Sequence, residues 1–332
     1  MANVGVATVS RVINESALIS PQTRQLVQAV IRRLEYRPHA MARRILGRSQ
    51  MLCFVLANRP FLHSFHAGIL QGAESCAREL KEQVVFVRIQ CEEQTPPDQI
   101  QLPPMLEEKG WAEGVILTGA VFANLISRLE ALDLPMAVFG NNVYGKKMPG
   151  GFNQVRYDGL RAGFEATQYL VNRGHRKITF LADSRFPWFH EVQQGYLRAL
   201  RAAGLSPLPF TRKGPEGFPE YGRWAGQLVM KSKRVPTAVL AGNDEIAFGL
   251  YQCFRRLNLK VPDDVSVIGF DDREIAAVME PPLTTVRVPS EEIGRCCVKL
   301  LLERLHLGVR NTRTHWVETE LVERESVKSL AS

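Results

Sequence analysis

The sequence predicts an α/β protein in which a small all-α head precedes a two-lobed core built on parallel sheets. Three observations carry this prediction. From Met51 onward, apolar runs of strand length alternate with stretches of helical apolar spacing, the pattern of right-handed βαβ units. The alternation continues almost to the end of the 332 residues, more than one doubly wound sheet holds, so two lobes are expected. The first fifty residues lack strand-like runs and concentrate arginine instead.

In the head, Val6–Asn14 has the length of about two helical turns, and a loop over 15–19 follows. Ser20 and Pro21 then give a helix start, serine as N-cap and proline at the first helical position. From there Leu26, Val27, Val30, Ile31 and Leu34 form one apolar stripe, and Pro38 ends the helix. Residues 39–46 have the length of one more short helix, and 47–50 read as a linker. The expected organisation is a head over 1–38, a short helix and linker over 39–50, a first lobe over 51–157 and 287–314, and a second over 158–286 and 315–328.

In the core the expected strands are 51–57, 84–89, 114–117, 136–139, 177–182, 238–241 and 265–269. The expected helices between and after them are 68–80, 100–109, 124–132, 159–172, 191–203, 221–230, 245–257 and 291–306. Gly174 and Gly204 stand where a left-handed cap would end two of these helices. Strand-like segments at 314–317 and 320–323 close the chain and cross between lobes.

Composition narrows the function class. The chain is 45% hydrophobic and 23% charged, ordinary globular values that argue against extended disorder. Its longest apolar run, Met51–Ala57, is far short of the roughly 18–20 residues a bilayer requires. The N-terminus has no basic-then-apolar leader, and the six cysteines show no CxxC pair or metal spacing. A cytoplasmic protein without disulfides or membrane contact is expected. The net charge of +8 is unevenly placed: residues 1–50 hold eight arginines, no lysine and only Glu15 and Glu35 as acids. An arginine-rich head on a near-neutral body suits a polyanion, because the guanidinium fork pairs with phosphates and base edges.

Several segments share a known pattern. They are Val4–Asn14, Ser20–Arg24 and Tyr36–Arg43 in the head, and Gly174–Ile178, Gly242–Gly249, Val261–Asp272 and Pro282–Val286 in the core. In this order and spacing they resemble the LacI/GalR family of transcriptional regulators over the whole chain. The resemblance implies a helix-turn-helix head, a hinge helix and a periplasmic-binding-protein-like core. On that reading the helix beginning near Val6 enters the major groove. Val6 and Ala7 would meet thymine methyls and Arg11 a guanine, with Asn14 closing the segment. Thr8, Ser20 and Thr23 stand at helix starts, where hydroxyls hold phosphates or simply cap. His39, Arg43 and Ile45 belong to the hinge: arginine along the backbone, and Ile45 as the minor-groove wedge where the family usually has leucine. His39 stands where asparagine is usual. The family's head has a further helix upstream of the one at Val6. Either the true start lies before Met1, or the first helix has been lost and DNA binding with it.

The core is expected to bind a small molecule past the carboxyl ends of its strands. Asn58, Asn141, Asp183, Asp244 and Asp271 stand at such ends, and amides and carboxylates suit a polyhydroxylated ligand such as a sugar. By resemblance Asp244 and Asp271 are the ligand-facing acids, and Phe218 packs on a sugar face, with Phe61 or Phe65 opposite. The family's ligand-binding arginine is replaced by Val192, so Arg185 takes its place or the ligand lacks the group it holds. His63 and His66 have HxxH spacing without a supporting ligand cluster, and no nucleotide-loop or hydrolase motif occurs. The reading is a repressor, not an enzyme, without cofactor or metal, binding palindromic operator DNA as a homodimer or higher homo-oligomer. The competing reading is a sugar-binding protein that no longer binds DNA.

Overall fold

The computed structural model describes residues 4–13, 19–33, 51–108, 110–145, 152–208, 213–307 and 311–330. The chain divides into two compact units, Met1–Ser49 and Gln50–Ser332.

In the first unit, α1 (Val6–Ile13) and α2 (Pro21–Arg33) pack through the buried Val12 and Val27. Leu26, expected in the same stripe, is half exposed. Ser20 caps α2: its Oγ accepts from the Thr23 N–H at 3.2 Å and lies 2.9 Å from the Thr23 hydroxyl.

The second unit holds two sheets. The first has the order β10-β5-β4-β3-β1-β2, where β1 is Met51–Ala57, β2 Gln83–Ile89, β3 Gly114–Gly119, β4 Met136–Phe139, β5 Asn153–Tyr157 and β10 Thr314–Val317. All its pairings are parallel. The second sheet runs β11-β9-β8-β7-β6, with β6 Ile178–Leu181, β7 Ala238–Ala241, β8 Ser266–Asp271, β9 Thr284–Arg287 and β11 Glu320–Val322. Only β11, an edge, is antiparallel.

Helices α3 (Ser64–Glu79), α4 (Pro104–Glu107) and α5 (Ala123–Glu130) connect strands of the first sheet. The second sheet carries α6 (Gly159–Asn172), α7 (Pro187–Ala202), α8 (Phe218–Met230), α9 (Asp244–Arg256) and α10 (Glu274–Val278). The long α11 (Ser290–Leu307) returns to the first lobe and packs on α3. That crossing is close enough that a Cβ on Gly72 would lie 1.9 Å from the Glu291 carbonyl oxygen, and one on Gly294 2.0 Å from that of Ile69. No described helix is long and apolar enough to cross a membrane.

Two expectations need correction. The helix over 100–109 is a 3-10 turn (Pro97–Gln99) followed by the single turn α4, because Pro103 and Pro104 remove two donors and hold the preceding residues extended. The second lobe does not begin again at 315: β10 pairs with β5 as far as Val317, so the chain passes to the second sheet between β10 and β11.

Candidate functional site

A cleft lies between the lobes, at the carboxyl ends of both sheets' strands. The first lobe supplies the β1–α3 loop with Arg59 and His63, the first turn of α3 with Phe65 and His66, and Phe139, Asn142 and Tyr157 from the ends of β4 and β5. The second lobe supplies Trp188 and Phe189 at the start of α7, Phe218 as the first residue of α8, the β7–α9 junction, and Phe270, Asp271 and Arg273 after β8.

The junction around Asp244 is the most tightly built part. Asn243 caps α9, its Oδ1 accepting from the Ile246 N–H at 2.8 Å. This turns the completely buried Asp244 carboxyl inward, where Oδ1 accepts from the Thr285 hydroxyl and Oδ2 from the Arg273 N–H, both at 2.6 Å. Residue 269 must be glycine for this: an added Cβ would stand 2.2 Å from Asp244 Oδ1. Burial pushes the Asp244 pKa up to about 7, against the pull of those two donors. Asp271 follows with a φ of +100°, a strained value for a non-glycine residue. Its neighbour Asp272 braces the turn, accepting from Arg287 Nε at 2.8 Å and Arg324 Nη2 at 2.7 Å. Burial first, and the nearby Asp244 second, push the Asp271 carboxyl well above the ordinary range.

Across the cleft, His66 is buried, and burial together with the charges of Arg59, His63 and Arg273 lowers its pKa to about 3. The ring is neutral at physiological pH. Asn142 Nδ2 donates to its Nε2 at 3.1 Å, which places the proton on Nδ1, and Nδ1 has no partner. The Arg59 guanidinium lies over Trp188, Cζ 4.8 Å from the ring centroid, with a buried Nε that also has no partner. Aromatic faces complete the walls: Phe218 meets Phe189 at 5.7 Å between centroids, and Phe65 meets Phe139 at 5.7 Å.

Of the expected ligand-facing residues, Asp244, Asp271, Phe65 and Phe218 come together in this cleft, and Phe61 stands exposed at its outer mouth. Three others are reassigned. The Asn58 amide donates to the Ala120 carbonyl at 2.8 Å and accepts from the Cys91 N–H at 2.7 Å, joining loops on the first lobe. Asn141 is buried and holds both backbone groups of Tyr157; its remaining amide proton goes to Glu191 of α7 at 2.9 Å, so it ties the lobes together. Arg185 reaches the outer mouth with its fork closed on Asp183, and it is not free to replace an arginine at position 192. Sequence reasoning passed over Arg59, Asn142, Tyr157 and Arg273. Arg59 had a usable signal: it directly follows Asn58 at the end of β1.

In the head, Val6 and Ala7 fall in the first turn of α1, and Arg11 is exposed in its last. Thr8 and Thr23 are half-buried, and the Ser20 and Thr23 hydroxyls meet each other in the cap. Asn14, His39, Arg43 and Ile45 lie outside the described residues.

Comparison with known proteins joins the two units. Residues 1–39 match the model of bacterial regulatory proteins of the lacI family, and residues 167–327 match a periplasmic binding protein-like domain. The chain is 30% identical to the HTH-type transcriptional repressor CytR of Escherichia coli (strain K12), over 99% of this chain and 94% of that one. The chain belongs to the lacI family. It is a DNA-binding transcriptional regulator that couples a helix-turn-helix head to an effector-binding core. Among solved structures of the family, it is 28% identical to the regulator CelR in complex with cellobiose, with a TM-score of 0.71 over 98% of this chain and 97% of that one. The fold is shared with the lac repressor dimer bound to operator and an anti-inducer, with a TM-score of 0.82 at 23% identity over 98% of this chain and 96% of that one.

Proposed function

We propose that this regulator is a repressor that binds a palindromic operator as a homodimer and releases or tightens its grip when a small hydroxylated metabolite closes the cleft. The observation that carries the reading is the cleft itself, whose polar and aromatic walls come from both lobes of a lacI-family core. A ligand touching both walls bonds best when the lobes are closed, and that difference shifts the population of the DNA-binding state. Arg11, Thr8 and the first turn of α1 carry the base and phosphate contacts, with Arg43 and Ile45 acting in the hinge. One head spans a half-site, so a two-fold operator calls for two copies. The CelR–cellobiose complex favours a sugar or related compound as the ligand.

The test is fluorescence anisotropy of the full chain on genomic duplexes and on random DNA, at two salt concentrations, with and without candidate metabolites. Site preference, affinity that falls steeply with salt, and a metabolite-dependent change are expected. Equal binding to genomic and random sequence under every condition refutes the reading.

A further inference from the structure

We propose that the ligand of this cleft is an anion, a small hydroxylated metabolite whose carboxylate or phosphate group is held by Arg59 from the first lobe. The proposal rests on the reading of the cleft as an effector site and adds the charge of what enters it.

The buried side-chain atoms at the cleft wall that lack a hydrogen-bond partner, Arg59 Nε and His66 Nδ1, are both N–H donors. Arg59 cannot shed its proton, and its buried Nε makes no hydrogen bond. Among the described residues no carboxylate comes within ion-pair distance of it. The carboxylate that acts on it electrostatically is Glu245, which itself faces His63 at 3.8 Å. Arg273 is similar: its Nε and Nη1 point to the neutral hydroxyls of Ser64 at 3.0 Å and Ser290 at 3.4 Å. The His66 Nδ1–H is a second unpaired donor, on a residue only 5% exposed. Arginines just outside the cleft are treated differently, for Arg156 is paired with Glu191, Arg185 with Asp183, and Arg287 and Arg324 with Asp272.

A half-buried guanidinium with a buried Nε and no counter-charge is unfavourable, and chains rarely keep one unless something else supplies the charge. Asp244 and Asp271 do not supply it. Asp244 is turned inward to Thr285 and Arg273, and the two acids crowd each other in a desolvated corner that favours their neutral forms. A guanidinium fork presents parallel donors suited to a planar carboxylate or a phosphate edge, and Trp188 packs its ring against the Arg59 guanidinium. Tyr144 faces Arg59 as well, and burial holds its phenol in the neutral form.

Two measurements test this. The full chain is titrated by calorimetry with matched pairs: a hexuronate and its hexose, an aldonate and its aldose, a hexose phosphate and its hexose. Only the charged partners should bind, and whether the acid or the phosphate binds identifies the group. Arg59→Met should weaken that binding about a hundredfold, with Arg59→Lys in between. Neutral sugars binding as tightly as their acids, or Arg59→Met binding the acid undiminished, overturns the proposal and leaves the effector site standing. Binding by neither arm removes the effector-site reading and this one with it. Independently of any ligand, unliganded Arg59→Met should melt at or above the wild type, because it removes an uncompensated, half-buried charge. A melting point several degrees lower means that Arg59 is a structural group with a partner, and the proposal fails.

Discussion

His66→Gln should change the pH dependence of stability in a way that measures the electrostatics of the cleft directly. In the folded protein the imidazole titrates near 3, because it is buried and faces Arg59, His63 and Arg273; in the unfolded chain it titrates near 6.5. Between these values the unfolded state binds more protons, so stability rises with pH through the window and is level above about 6.5. The slope is at most about 1.4 kcal/mol per pH unit and falls off near 6.5, so from about pH 4.5 to 6.5 the wild type should gain about 2 kcal/mol that the variant does not. Glutamine retains an acceptor for Asn142 and carries no proton in this range, so the difference between the two proteins isolates the histidine. Urea unfolding of both, at intervals across the window, gives the difference curve. The raised carboxyls of Asp244 and Asp271 impose a slope of opposite sign over much of the same range, but it is common to both proteins and cancels in the difference. A difference that stays constant with pH, or shrinks as pH rises, refutes the account of a neutral imidazole held among cations.

The other predictions concern how the second sheet is held. Gly269→Ala should destabilise the core by more than about 2 kcal/mol in thermal unfolding, since the new methyl would collide with Asp244 Oδ1 at 2.2 Å and Leu283 Cδ2 at 2.6 Å. Ser326→Ala should cost about 1–3 kcal/mol, because this buried hydroxyl accepts from the Thr284 N–H at 2.8 Å and donates to the Val267 carbonyl at 2.6 Å; a change under half a kcal/mol contradicts the assignment. Glu323→Gln should shift stability by no more than about 0.5 kcal/mol despite losing its pairing with Arg173, since that pair lies at the surface.

Elements whose boundaries depend on local chemistry were legible in the sequence. β1, β4, β7 and β10 and helix α6 fall where the apolar runs, or the helical spacing after Asp158, place them. Segments whose order depends on distant partners were not. β5 reads as polar at Asn153, yet that side chain is buried because its amide donates to the Leu300 carbonyl and accepts from the Arg313 N–H. β9 opens on two threonines, both buried, whose hydroxyls serve Asp244 and the Arg324 N–H. The site divides the same way. The rule that ligands sit beyond strand ends located Asp244 and Asp271. It did not separate them from Asn58 and Asn141, whose polar atoms are taken by groups that sequence spacing does not bring near, or from Asp183, which its neighbour Arg185 occupies. Arg59 differs from them in the converse way, since its buried Nε has no partner, which only the folded structure displays.

The distribution of contacts between the lobes bears on how much a ligand must contribute. Arg156 and Asn141 reach Glu191, Arg273 reaches Ser64 and Ser290, His63 faces Glu245, and Arg59 covers Trp188, so these ties between the lobes border the cleft. Moving a two-state equilibrium from about 1:99 to 99:1 requires about 5.5 kcal/mol of preference for one state. A charge-assisted hydrogen bond is worth about 1.5–3 kcal/mol, so two bonds from the Arg59 fork give about 3–6 kcal/mol and reach that figure only at the top of the range, with both breaking on opening. The remainder has to come from donors fixed on the opposite lobe, of which Arg273 is the one already oriented by two serines. A ligand too short to touch both arginines would bind without switching. Affinity and the change in DNA binding should therefore separate in Arg273→Met, with the first weakened modestly and the second abolished.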